Sequence, residues 1–370
     1  MTATARRRWF VVAALLLVLV VTAGLAVLAE MAVRWRERHR STPTDMMTTL
    51  YYRHARLVHG LVRNTEYFGW ARTDSLGLRV ATPPAGEAPE TLRVLADGGS
   101  TTFDVGVTSG DSTWPAQLGR LLTDSSRYVQ VYNAGVPSYR VLDNLIRFEQ
   151  ELHRLRPHVI LLLQGHNDLY EMLHPPVGDP DAPQEAAPAT PWGRWLERNS
   201  LLYGKGMGLA RRGWGWIRGT LGAREVPRTR DDLRAALGRG MAQFEVDLRA
   251  YVAVAQALGA RMVLIEPPHV SGGATDADGE AAERFRSAFG GVEPAVVLEG
   301  YARISEVLRR VAAETGADFV PTVQFGLDSL RLYEPRDPMH LVDAGARVLA
   351  ERLAPAVRTL LASSGTVDTP

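Results

Sequence analysis

The sequence predicts an α/β fold, with a mainly parallel sheet covered by helices on both faces. Three observations carry this. Short apolar runs recur, and the clearest, Val159 to Leu163 and Met262 to Ile265, show no polar alternation, as strands buried on both faces should. Segments with helical spacing separate them, such as Leu145, Phe148, Leu152 and Leu155. Each run ends in turn residues, at Ala134-Gly135-Val136-Pro137, at Gln164-Gly165-His166-Asn167-Asp168 and at Glu266-Pro267-Pro268-His269.

In chain order, Leu92 to Ala96 reads as the first strand and Asp97-Gly98-Gly99-Ser100 as a turn. Thr102 to Thr108 reads as a second strand, ending at Ser109-Gly110-Asp111-Ser112. Trp114 to Leu122 is helical, with Pro115 in the first turn, where a missing N–H does no harm. A strand follows over 129–133, a helix over 143–155 and a strand over 159–163. Further helices span 241–258, 300–315 and 342–360, with strands at 261–265 and 317–320 between them. Upstream, YYRHARLVHGLV reads as helical, and the prolines at 83, 84 and 89 mark a loop.

The chain has 370 residues and no cysteine, which excludes disulfides, a cysteine nucleophile, a thiolate metal site and cysteine lipidation. Trp9 to Ala29 is 21 uncharged residues, enough to match the ~30 Å hydrocarbon layer as a helix. Arg6, Arg7 and Arg8 precede it, and Arg34, Arg36, Arg38 and Arg40 follow. The short basic N-terminus favours an N-in anchor with the body outside the cytoplasm. The alternative is a signal peptide cut near Val27-Leu28-Ala29. Beyond residue 40 there are 35 basic and 39 acidic groups, so the body has no basic excess for a phosphate backbone, and no nucleic-acid partner is expected. The expected layout is a basic start (1–8), an anchor (9–29), an approach segment (30–90), a catalytic domain (91–360) and a polar, flexible tail (361–370).

Residues 172–235 interrupt the α/β rhythm as a proline-rich insertion holding Trp192, Trp195, Trp214 and Trp216. Its seven Arg or Lys between Trp192 and Arg224 face a single Glu, a composition suited to a membrane interface beside the cleft mouth or to an ordinary packed helix. Gly204-Lys205-Gly206-Met207-Gly208 lacks the spacing of a nucleotide loop, and no compact ligand cluster points to a metal. No cofactor is expected.

Functional groups in such sheets sit beyond the carboxyl ends of strands. Ser112, between an expected strand and a helix start, is the candidate nucleophile; Ser100 is passed over because no helix is expected after it. Asp337-Pro338-Met339-His340 offers a base with an acid three residues away, since a serine hydroxyl needs a base and the base an orienting partner. Asn167 and Gly135 are candidate oxyanion donors at strand ends. Thr113, His166 and His269 are possible cleft residues. Taken in order, SGDSTW, YNAGVPSY, QGHND and DPMHL resemble the four blocks of the SGNH hydrolases, also called the GDSL esterase/lipase superfamily. Thr113 stands where the short family name has leucine. The resemblance implies a flavodoxin-like three-layer α/β/α fold, with Ser112 as nucleophile, His340 as base and Asp337 as its acid. Gly135, Asn167 and the Ser112 N–H would form the oxyanion hole.

The expected function is therefore a membrane-anchored serine esterase, with O-acyl groups of an envelope carbohydrate as one substrate class. A lipase or lysophospholipase, a polysaccharide O-acyltransferase and a non-catalytic envelope assembly protein are the alternatives. The sequence leaves the oligomeric state open.

Overall fold

The computed structural model describes residues 3–38, 50–52, 54, 56–67, 70–83, 90–125, 127–174, 200, 229–270, 279–322 and 325–364. The chain divides into two compact units: residues 1–50 with 183–225, and residues 51–182 with 226–370. The described part of the first is chiefly helix α1 (Ala3–Arg38). Within α1, Val12–Arg36 has a mean hydropathy of 2.9 and no protein cover, so it is long and apolar enough to cross a membrane. Nearly all of the 172–235 insertion lies outside the described residues.

The second unit is a three-layer α/β/α fold. Its sheet comprises β1 (Glu90–Gly98), β2 (Arg127–Asn133), β3 (Val159–Leu163), β4 (Arg261–Ile265) and β5 (Asp318–Val320). All neighbours are parallel, in the order β2-β1-β3-β4-β5. Every residue of β3 is fully buried, which explains its unbroken apolar run. One face carries α3 (Trp114–Leu122) packed on α9 (Asp343–Ser364). The other carries α4 (Val141–Gln150), α5 (His166–Leu173), α6 (Arg230–Ala257) and α8 (Pro294–Thr315). Short helices α2 (Ser100–Phe103) and α7 (Glu280–Ala288) complete the set.

Two sequence expectations fail here. Thr102 to Thr108 is not a strand. The chain turns at Gly98 into α2, where the Thr102 and Phe103 N–H groups both donate to the Gly99 carbonyl. The β propensity of Thr and Val is overridden because β1 already pairs with β2 and β3 on its two sides. The described residues of YYRHARLVHGLV are not helical either: Tyr51–Tyr52 pairs antiparallel with Gly60–Leu61. Downstream, Arg79 bridges Asn133 on the free edge of β2, its N–H donating to the Asn133 carbonyl at 3.0 Å.

Candidate active site

The site forms at the carboxyl edge of the sheet, where β1 delivers Gly98-Gly99-Ser100. Both glycines are required by space. A Cβ on Gly98, whose φ is 151°, would stand 2.2 Å from the Leu163 carbonyl oxygen. One on Gly99 would stand 2.6 Å from Asn167 Nδ2. The chain can therefore turn tightly and present Ser100 as the first residue of α2.

Ser100 Oγ lies 2.7 Å from His340 Nε2, and His340 Nδ1 lies 2.7 Å from Asp337 Oδ2. The other Asp337 oxygen accepts the Met339 and His340 N–H groups at 2.8 and 2.9 Å, so one carboxylate folds the loop and holds the ring. Val270 N–H donates to the Pro338 carbonyl at 2.9 Å, tying this loop to the end of β4. Burial works to lower the pKa of His340, but the charge and hydrogen bond of Asp337 outweigh it and hold the imidazole above its ordinary value. Burial likewise works against the Asp337 charge, yet His340 and the two backbone N–H groups bring its carboxyl down to about 2. With Nδ1–H on Asp337, Nε2 is free to accept the Ser100 proton.

Asn167, in the first turn of α5, donates through Nδ2 to the Tyr139 carbonyl at 2.8 Å. That carbonyl also accepts Gln164 Nε2 at 2.6 Å, and Gln164 continues to Asn144 Oδ1. Asn144 donates to Asp97, which also accepts the Tyr251 hydroxyl. Asp97 is thus the root of a buried polar chain reaching Asn167, and burial lifts its carboxyl to about 6.

The remaining expected residues fall elsewhere. Ser112 closes a 3₁₀ turn, Gly110–Ser112, with its Oγ 3.2 Å from both Asp343 Oδ2 and Ser109 Oγ; Ser100 occupies the place beside His340. The strand expected over 102–108 puts a strand end ten residues downstream of the one that forms at Gly98. Thr113 is buried and is the N-cap of α3, its hydroxyl accepting Ala116 N–H, so it does not line the cleft. Gly135 donates its N–H to Asn133 Oδ1 at 3.1 Å, which leaves that amide committed. Its real constraint is steric, since a Cβ there would stand 2.0 Å from the Phe103 nitrogen. Gly135→Ala is therefore expected to destabilise the fold by ~3 kcal/mol, near the top of the overpacking range, as read by urea unfolding. His166 is buried, its Nδ1 2.7 Å from the Tyr301 hydroxyl. His269 stacks on Tyr301 with ring centroids 4.1 Å apart, beside a cavity of about 210 Å³. Among the described residues, no group of three or more His, Asp or Glu could hold a metal.

A serine, a histidine and a carboxylate in line at the carboxyl edge of a parallel sheet, with an asparagine amide beside the serine, define a serine hydrolase of SGNH type. The model of the GDSL-like Lipase/Acylhydrolase family matches residues 96–348, and the chain belongs to that family. Its activity is that of an esterase or acylhydrolase on carboxylic esters. Comparison with curated proteins finds no match. Solved structures with a similar fold include a catalytic mutant of Axe2, an acetylxylan esterase from Geobacillus stearothermophilus. It is 16% identical, with a TM-score of 0.42, over 73% of this chain and 94% of that one. TesA is 16% identical, with a TM-score of 0.43, over 72% and 99%. A putative lipolytic protein of the G-D-S-L family from Desulfitobacterium hafniense is 14% identical, with a TM-score of 0.40, over 71% and 98%.

Proposed function

We propose that Ser100 is the nucleophile of this esterase, His340 its general base and Asp337 the acid that orients the base. The observation that carries the reading is the unbroken line from Ser100 Oγ through the imidazole to Asp337, with both contacts at 2.7 Å. Ser100 Oγ attacks the ester carbonyl as its proton passes to His340 Nε2. The tetrahedral intermediate expels the alcohol, which takes that proton. Water, deprotonated by the same nitrogen, then releases the acid and restores Ser100. The oxyanion donors in this reading are the Ser100 N–H, Asn167 Nδ2 and, in place of Gly135, the Ser138 N–H. Ser138 sits at φ 68° in the turn that places the Tyr139 carbonyl against Asn167, and its N–H has no acceptor among the described residues.

The finer reading is an anchored enzyme outside the cytoplasm, acting on O-acyl groups of an envelope carbohydrate. Helix α1 supports the location: an apolar span preceded by three arginines favours an N-in anchor. Its test offers the full chain, in detergent micelles, an O-acetylated polysaccharide and a lysophospholipid at equal ester concentration. Acetate release well above fatty-acid release is the expected result. The reverse ratio replaces this substrate with a lipid ester.

A further inference from the structure

We infer that Arg79, which lies outside the family-matched segment, is a positioning residue for Ser100; this rests on the reading of Ser100 as nucleophile. Ser100 stands on a helix of only four residues, too short to hold its own shape. Two of its four carbonyls are satisfied by side chains from outside, as is that of Asp104 just beyond it. Thr101 O accepts Trp114 Nε1 at 3.1 Å. Phe103 O and Asp104 O accept Arg79 Nη1 at 2.7 and 2.8 Å. Asp104, the residue that ends the helix, sits at φ 70°, a conformation that costs a non-glycine residue energy and persists only when held.

The Asp104 N–H donates to the carbonyl of Ser100 itself at 2.8 Å. A guanidinium on the Asp104 carbonyl therefore acts on the Ser100 backbone through a single residue. The guanidinium is itself fixed. It is buried, lies 4.5 Å from the Trp70 ring and 4.7 Å from the Phe103 ring, and its Nη2 donates to the Trp70 carbonyl at 2.8 Å. Trp70 in turn ties the loop after α2 through Nε1 to the Val107 carbonyl at 2.6 Å. The segment 70–79 thus grips both the end of the helix and the loop that follows it. A lysine in place of Arg79 keeps the charge but has no planar fork to spread over these carbonyls.

The test compares Arg79→Lys with Arg147→Lys in the full chain, measuring kcat and KM for p-nitrophenyl acetate well below each variant's melting temperature. Arg147 is an equally buried guanidinium that donates to the Ala134, Leu76 and Gly77 carbonyls and, among the described residues, to no carbonyl of α2. Arg79→Lys is expected to lower kcat about 100-fold, the cost of a ~1 Å misplacement, with KM changed less than about twofold. The pH midpoint of kcat/KM stays in place, because the His340–Asp337 pair is untouched and the lysine keeps a positive charge beside Asp104, which also acts on His340. Arg147→Lys lowers the melting temperature and keeps kcat. A folded Arg79→Lys enzyme with wild-type kcat overturns the inference, as does an equal kcat loss in both variants. If the lysine variant does not fold, Arg79→Gln takes its place with the same two outcomes. Full activity in Ser100→Ala would instead refute the nucleophile reading, so the two failures are distinguishable.

Discussion

Ser100→Ala is expected to lower kcat for a p-nitrophenyl ester by on the order of 10⁴–10⁶-fold, leaving only what oxyanion donors and binding supply. Ser112→Ala is expected to stay within about twofold of wild type. The contrast follows from where the two hydroxyls point: Ser100 Oγ faces His340, whereas Ser112 Oγ faces Asp343. Losing the latter contact removes one partly exposed hydrogen bond, worth about 1 kcal/mol of stability. A fluorophosphonate separates the two residues without kinetics, because it reacts with a serine activated by an imidazole base, which Ser100 has and Ser112 lacks. Peptide mapping should place the adduct on Ser100. An adduct on the Ser112 peptide, or wild-type turnover by Ser100→Ala, would return the nucleophile to the second site.

Asp337→Asn carries the second large effect, a fall in kcat of about 10⁴-fold. An asparagine amide no longer favours a proton on Nδ1, so the ring proton moves to Nε2 and the acceptor facing Ser100 is lost. The pH profile moves as well. His340 works as a base only when neutral, so wild-type kcat/KM falls as the pH drops through its pKa, which Asp337 holds above 6.5. Without that carboxylate burial is opposed only by the more distant charges of Asp104 and Glu334, and the acid limb of the variant should shift to lower pH. Stability runs the other way. A folded-state pKa above the unfolded value contributes stability that is fully present below the unfolded pKa and is lost as pH rises through the folded one. Wild type should therefore gain activity and lose melting temperature over the same interval above pH 6.5. An acid limb unmoved by Asp337→Asn would count against the pairing.

The sheet was legible because parallel strands buried on both faces leave unbroken apolar runs: 159–163 and 261–265 were located to the residue. The hydrogen-bonded pair of His340 and Asp337 is legible too, since a histidine with an acid three residues away is a local pattern. The contact of Ser100 with His340 is not. Thr102, Val105 and Val107 have strand-forming side chains, and only tertiary pairing on both sides of β1 forces a four-residue helix there. A Gly-Gly-Ser run closing the first strand was the available signal. A helix so short has no periodicity to read. Gly135 was legible as important but not for its reason, because a contact with the Phe103 backbone 32 residues earlier leaves no local trace. Arg79 had no signal at all, its role lying entirely in carbonyls that it meets after folding.

The hydrogen bond between Ser100 and His340 joins residues 240 positions apart in the chain. During synthesis at ~5–20 residues per second, roughly 12–48 s separate the making of its two halves. The serine is thus finished early, on a strand that cannot complete its sheet, and stays inert until nearly the last helix has been added. Contacts of such long sequence separation also form late in folding. Catalytic competence therefore marks the end of assembly, and a partly synthesised chain carries no working esterase.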